Sequence, residues 1–270
     1  MPKKWVEEWN EKIDVWIEQG PKYDLGLSHV LNAYKGKGAA ELDLDAMPEP
    51  YVGDPLHECP EAVMLTLNPG GSGPKQWHPK VSFVDNSLVP LVKSSSYYNV
   101  ASDYLLEETK KWWSGRSRWP ARLLGDSTGK CQLVGIDLIP WHSKTWGGME
   151  FTSDVLPWFK DNVLTPAATI AKRSRLSSYF NLGCPLVLAI GSHHAHCLDK
   201  LGFDPPKIVN EKMGIDGWPV SNGQPVKRNF RLFLSKALSL AILQTDAPGT
   251  FKPPSKSFDA IVKEILRQSL

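Results

Sequence analysis

Four polar clusters stand directly after short apolar runs in this 270-residue chain, and their residue types could do chemistry. Asn68-Pro69-Gly70-Gly71-Ser72-Gly73 follows residues 62–67 (AVMLTL), and Pro140-Trp141-His142-Ser143 follows 132–139 (QLVGIDLI). Gly191-Ser192-His193-His194 follows 185–190 (PLVLAI), and Thr245-Asp246-Ala247-Pro248-Gly249 follows an apolar stretch within 230–245. The amide carbonyl of Asn68 can orient a water molecule. Gly70 and Gly71 carry no side chains, so the loop can approach a phosphate or a sugar closely. The loop matches neither GxGxxG nor GxxxxGK[ST], the phosphate-cradling patterns of nucleotide sites, and a plain tight turn is its competing reading.

Further candidates sit beside these clusters. Asp137 lies within an apolar run, where it serves either a pocket or an internal hydrogen-bond hub. Just past that run, His142 and Ser143 can read a ligand edge or close the turn. His193, His194, His196 and Cys197 form the densest titratable group and raise the possibility of zinc, but no HxxxH or CxxC spacing accompanies them. A phosphate held by the amides of Gly191 and Ser192 at a helix start, aided by one imidazole, is the preferred reading there. The basic runs Lys172-Arg173-Ser174-Arg175 and Lys227-Arg228-Asn229-Phe230-Arg231 suit either a nucleic-acid backbone or a solvated face.

The elements that must position these residues follow from the hydrophobic pattern. Trp5, Trp9, Ile13, Trp16 and Ile17 recur at helical spacing until Gly20-Pro21, which predicts an amphipathic helix. The polar stretch that follows, to about residue 54, reads as surface loop. Residues 62–67, 132–139 and 185–190 read as buried strands, with a fourth within 230–245. Helices are expected over about 101–113, 153–173 and 256–268, the second kinked or divided by Pro166. Strands alternating with helices predict an α/β fold with parallel pairing, and such sheets bind ligands beyond the carboxyl ends of their strands.

Composition limits the function classes. With 31 basic and 29 acidic residues the net charge is +2, so a nucleic-acid partner would be held by local patches rather than by a global field. Cysteines 59, 131, 184 and 197 form no CxxC pair and no signal peptide precedes them, which predicts reduced thiols in a cytosolic protein without a disulfide or an iron–sulfur cluster. No apolar run approaches the roughly 20 residues of a membrane helix. Eleven tryptophans predict aromatic packing, with some rings available to sandwich a base.

LNPG after an apolar strand resembles the water-activating motif of the uracil-DNA glycosylase superfamily, and of its mismatch-specific branch in particular. Gly191-Ser192-His193-His194 and the Pro248-Gly249 loop fall where that superfamily keeps its other DNA-contacting segments, and PEPYVGDP is similar to the approach to the first strand in relatives. The resemblance covers about residues 48–268. It implies a three-layer sandwich with a central, mainly parallel four-stranded sheet flanked by helices, formed by one domain over 1–270 with 1–54 as an N-terminal extension. It further implies hydrolytic base excision with no cofactor and no metal, DNA with a modified or mismatched base as partner, and a monomer.

Carried over by position, Asn68 would hold the attacking water and Phe83 would lie under the extruded base. Asp137, Trp141, His142 and Ser143 would line the base pocket. Gly70, Gly71, Ser72, Gly191, Ser192, His193, Gly249 and Lys252 would contact DNA. At the family's second signature the usual histidine or asparagine is absent and Asp246 stands in the segment instead. A carboxylate supports an anionic leaving base poorly, but it can bind an exocyclic amino group or stabilise a cationic sugar. This departure keeps two alternatives open, a DNA-binding protein without catalysis and a metal-dependent hydrolase using the residue 193–197 cluster. It also directs attention to bulky bases such as glucosylated hydroxymethylcytosine in phage DNA.

Overall fold

A computed structural model describes residues 2–20, 23–46, 48–67, 116–117, 119–121, 123–125, 132–210, 220–221, 224–225 and 229–245. The expected helices over 101–113 and 256–268 lie outside them. The chain is α/β, and it divides into two compact units. Among the described residues, one gathers 2–57, 65–67 and 134–170, and the other 58–64, 116–133 and 171–245.

In the first unit, helix α1 (Pro2–Gln19) buries Trp5, Trp9, Ile13 and Trp16, the stripe expected from the sequence. It stops at Gly20, whose φ of 97° suits a residue without a Cβ. The next stretch was expected to be loop, yet it carries helix α2 (Ser28–Ala33) and the two-residue strand β1 (Tyr51–Val52). Strand β2 (Ala62–Thr66), of which only residues 65–66 belong to this unit, and strand β3 (Leu133–Asp137), which belongs to it from residue 134, are buried along their whole lengths.

Helix α3 (Val155–Phe159) passes through a π-turn (Lys160–Leu164) into helix α4 (Thr165–Ala171). Pro166 therefore does not divide the helical path. The wider turn ahead of it absorbs the ring and the missing N–H.

The second unit contains helix α5 (Arg175–Phe180), strand β4 (Leu186–Ile190) and helix α6 (Ser192–Lys200). Strands β5 (Lys207–Asn210), β6 (Val220–Ser221), β7 (Gln224–Pro225), β8 (Asn229–Ser235) and β9 (Leu240–Thr245) follow. Ser174 caps α5 by accepting from the Ser177 amide at 3.2 Å, and the Ser177 hydroxyl in turn accepts from the Leu186 amide at 2.8 Å, tying the helix start to β4.

The expectation of four mainly parallel strands is corrected. The strand order is β1-β3-β2-β4-β9-β8-β5, with β6-β7 as a separate pair. The sheet is mixed: β4 runs parallel to β9, while β1 runs antiparallel to β3, and β8 antiparallel to both β9 and β5. The region expected to give one strand, 230–245, gives two, because the chain reverses at 236–239. Ser239 takes a φ of 45° there, and the Ser235 hydroxyl accepts from the Leu238 amide at 3.3 Å. Lys-Ala-Leu-Ser has none of the Gly, Asn or Pro that announces a hairpin, so the reversal is silent in the sequence. No helix among the described residues is long and apolar enough to cross a membrane.

Candidate functional site

In the first unit, β2 and β3 bring a group of polar side chains together. Beyond their ends the backbones stay paired: the Leu138 amide donates to the Thr66 carbonyl at 2.9 Å, and the Ile139 amide to the Leu67 carbonyl at 3.1 Å. Asp137 is the last residue of β3 and is 5% exposed. It hydrogen-bonds the Thr66 side chain, whose hydroxyl also donates to the Ile136 carbonyl at 3.2 Å.

The segment before β1 is bonded to the backbone around this residue. The Asp137 amide donates to the Pro50 carbonyl at 3.1 Å and the Glu49 amide to the Pro140 carbonyl at 2.7 Å, so Glu49 is fixed from both sides. Its carboxylate faces His142 Nε2 at 3.6 Å, with both side chains largely buried. Burial, reinforced by the Glu49 charge, pushes the Asp137 carboxyl well above the ordinary carboxylate range, against the opposing effect of the Thr66 hydrogen bond.

His142 and Ser143 are 4% exposed, and their turn is braced by the loop after α2. The Asp43 amide donates to the His142 carbonyl at 2.7 Å, and the Ser143 hydroxyl donates to the Thr145 carbonyl at 2.6 Å. The Tyr34 hydroxyl accepts from the Gly147 amide at 2.8 Å, and its ring meets Trp146 edge-on at 5.5 Å. A Cβ on Gly147 would stand 2.1 Å from the Gly36 Cα, so this contact between loops requires glycine. Trp141 is fully buried. The group combines a proton-bearing carboxyl, an acid–imidazole pair and hydroxyls within a largely buried cluster.

In the second unit, Gly191, Ser192 and His193 open α6. Gly191 has a φ of 118°, its amide donates to the Thr245 carbonyl at 2.7 Å, and its carbonyl accepts from Gln244 Nε2 at 2.9 Å. Arg231 Nη1 donates to the Gln244 Oε1 at 2.8 Å, completing the brace. The Gly191 amide is thus engaged within the fold, and a helix start leaves its first amides, here those of Ser192 and His193, without partners inside the helix. His194 is fully buried, and its two ring nitrogens have no hydrogen-bond partner among the described residues. Burial, then the nearby His193 and Arg116 charges, lowers its pKa to about 3, so the ring is neutral. Burial also lowers the Arg116 guanidinium to about 9.

Of the residues foreseen from the sequence, Asp137, Trp141, His142 and Ser143 fall in the first unit and Gly191, Ser192 and His193 in the second. Asn68, Gly70, Gly71, Ser72, Phe83, Asp246, Gly249 and Lys252 lie outside the described residues. Sequence reasoning missed Glu49, Thr66 and Tyr34. Glu49 stands between Pro48 and Pro50 in a stretch that reads as turn, and only its pairing beside β3 reveals its role. Among the described residues, no three His, Cys, Asp or Glu side chains gather closely enough to hold a metal ion. A separate concavity of about 440 Å3 lies beside α1, lined by Val15, Leu25, Trp158 and Asn162 among others, and holds none of the foreseen residues. Compared with family models, curated proteins and solved structures, the chain matches none.

Proposed function

We propose that the chain is a monofunctional DNA glycosylase of the uracil-DNA glycosylase superfamily, with that superfamily's three-layer arrangement, acting on a modified or mismatched base. The observation that carries this reading is the pairing at the ends of β2 and β3. The strand that leads into Leu67-Asn68-Pro69-Gly70 runs beside the strand that ends in Asp137, and Thr66, two residues before Asn68, is hydrogen-bonded to the Asp137 carboxyl. On this reading the chain carries its water-positioning amide, Asn68, two residues after a strand that runs beside the one ending in the base-reading Asp137.

In this mechanism the nucleotide leaves the stack and its base enters the pocket. The C1′–N bond breaks with its electron pair going to the base, and the sugar acquires oxocarbenium character. A water held by Asn68 adds its oxygen to C1′ and yields its proton, and the departing base is protonated, so the products are a free base and an abasic sugar bearing a 1′-hydroxyl. Asp246 stabilises the cationic sugar. Phe83 stacks on the base, and His142, Ser143 and Trp141 shape the pocket wall. Gly70, Gly71, Ser72, Ser192, His193, Gly249 and Lys252 hold the sugar–phosphate backbone, with Gly191 setting the geometry of its loop. No cofactor enters the reaction.

The experiment is abasic-site formation by wild type and Asn68→Ala on duplexes carrying uracil, mismatched thymine, hydroxymethylcytosine and its glucosylated form. Product on one of these, lost in the variant with folding intact, supports the assignment. Duplex binding with no product on any substrate would favour the second reading, DNA binding without catalysis, which the altered segment at Asp246 motivates.

A further inference from the structure

We infer that the concavity beside α1 is a binding site for a small zwitterion with a bulky apolar side chain, an α-amino acid of the tryptophan, phenylalanine or leucine type. The site lies wholly within the first unit, and it does not depend on the glycosylase reading.

Three local features enclose it. Glu8, Glu11, Lys12 and Val15 stand at i, i+3, i+4 and i+7 on α1, so one stripe of the helix forms a wall. Residues 24–27 make a tight reversal, in which the Leu27 amide donates to the Asp24 carbonyl at 2.8 Å and Leu25 and Gly26 take φ of 57° and 70°. Leu25 and Leu27 both line the concavity. The π-turn after α3 supplies Asn162, four residues beyond Trp158. The enclosed volume of about 440 Å3 lies within the roughly 300–1,000 Å3 of small-ligand sites.

The floor is apolar and the rim is charged. Leu25, Leu27 and Trp158 are buried yet line the space, whereas Glu8 and Glu11 are exposed. Glu8 pairs with Lys4 at 3.5 Å, one turn back along the helix. Glu11 and Lys12 make no ion pair among the described residues, so one carboxylate and one ammonium remain at the rim. The Asn162 side-chain nitrogen donates to the Trp158 carbonyl at 3.1 Å, which fixes the amide and leaves its oxygen as an acceptor. An α-ammonium group can donate to Glu11 and to that oxygen, and an α-carboxylate can accept from Lys12. The apolar side chain then displaces water from the two leucines and the indole. A ligand with a single charge leaves one of the two rim charges unmatched, and the site discriminates against it on that ground.

The test is calorimetric titration of the full chain with L-tryptophan, tryptamine and indolepropionate, which share the indole and differ in the charged head, with L-phenylalanine and L-leucine alongside. L-Tryptophan is expected to bind more tightly than either single-headed analogue by about fivefold. Glu11→Gln is expected to weaken L-tryptophan by about three- to fivefold and to leave indolepropionate unchanged. Lys12→Gln should weaken L-tryptophan by a similar factor and leave tryptamine unchanged. The comparison of head groups on the wild type decides the matter even where a variant fails to fold. Equal binding of the three indoles, tighter binding of either analogue, no binding of any of these compounds, or folded variants that bind as the wild type does overturns the inference. Abasic-site formation by the same protein is a separate readout and bears only on the glycosylase reading.

Discussion

The indole N–H of Trp5 donates to the main-chain carbonyl of Asn162 at 2.9 Å, across 157 residues of sequence. That carbonyl is available because Pro166, four residues on, has no N–H to give it. The same stretch contains the π-turn, and the Asn162 side-chain amide donates to the Trp158 carbonyl at 3.1 Å, so two carbonyls of the distorted helix find donors outside the regular ladder. Trp5 also packs against Tyr51, with ring centroids 5.1 Å apart, which places the start of α1 over the short strand next to Glu49. A proline that would otherwise weaken the helix thereby becomes the docking point of the N-terminal helix.

Trp5→Phe keeps an aromatic ring but removes the donor, and should cost about 1–2 kcal/mol in urea unfolding through the unsatisfied carbonyl. In a Pro166→Ala background the helix regains an amide for Asn162, so the loss should fall to well under half. Equal losses in both backgrounds would remove the assigned link between proline and tryptophan.

Asp137 has a raised folded-state pKa, so between its ordinary value and that raised value the unfolded chain holds fewer protons than the folded one. Its burial therefore weighs increasingly against folding as pH rises from about 4 to neutrality. Asp137→Asn should gain stability relative to wild type as pH is raised from 4 to 8, read from chemical denaturation at each pH. A stability difference that does not vary with pH would place an ionised, compensated carboxylate at this position.

For His194 the sign is opposite. Its pKa falls to about 3 in the fold from an ordinary 6.5, so the unfolded chain takes up a proton below pH 6.5 that the folded chain refuses. Stability contributed by the neutral ring is lost as pH falls from 6.5 towards 3. Replacing the ring by leucine removes the two unpartnered nitrogens, and at pH 5 His194→Leu should outperform wild type by about 2 kcal/mol more than it does at pH 7. Parallel pH profiles for the two proteins would show that the ring protonates readily within the fold.

Gly191 holds a φ of 118°, and a Cβ added there would meet only the His194 Cδ2, at 3.9 Å. The cost of Gly191→Ala is therefore conformational and not steric crowding, about 1–3 kcal/mol. It should also loosen the brace formed by Arg231, Gln244 and the Gly191 carbonyl, seen as faster hydrogen exchange at the Gly191 and Ser192 amides. A neutral substitution would mean that the turn relaxes to an ordinary φ at little cost.

The sequence by itself determined the elements whose signal is local. The stripe of Trp5, Trp9, Ile13 and Trp16, its stop at Gly20, the three buried runs that became β2, β3 and β4, and the glycine turn into α6 all follow from periodicity and from backbone chemistry that neighbours a few residues apart impose. It also marked Asp137 and His142 as candidates, because a carboxylate in an apolar strand and an imidazole just past it demand an explanation. Tertiary structure alone decided what those groups meet. Glu49 reaches His142 because β1 pairs antiparallel with β3, and two residues are too few to show an alternating pattern. The reversal at Ser239 and the π-turn before Pro166 depend on hydrogen bonds and packing that compensate an unfavourable local conformation. Burial sets the protonation of Asp137 and His194 in the same way, since the cost of charge depends on what surrounds the side chain and not on the residues beside it in the chain.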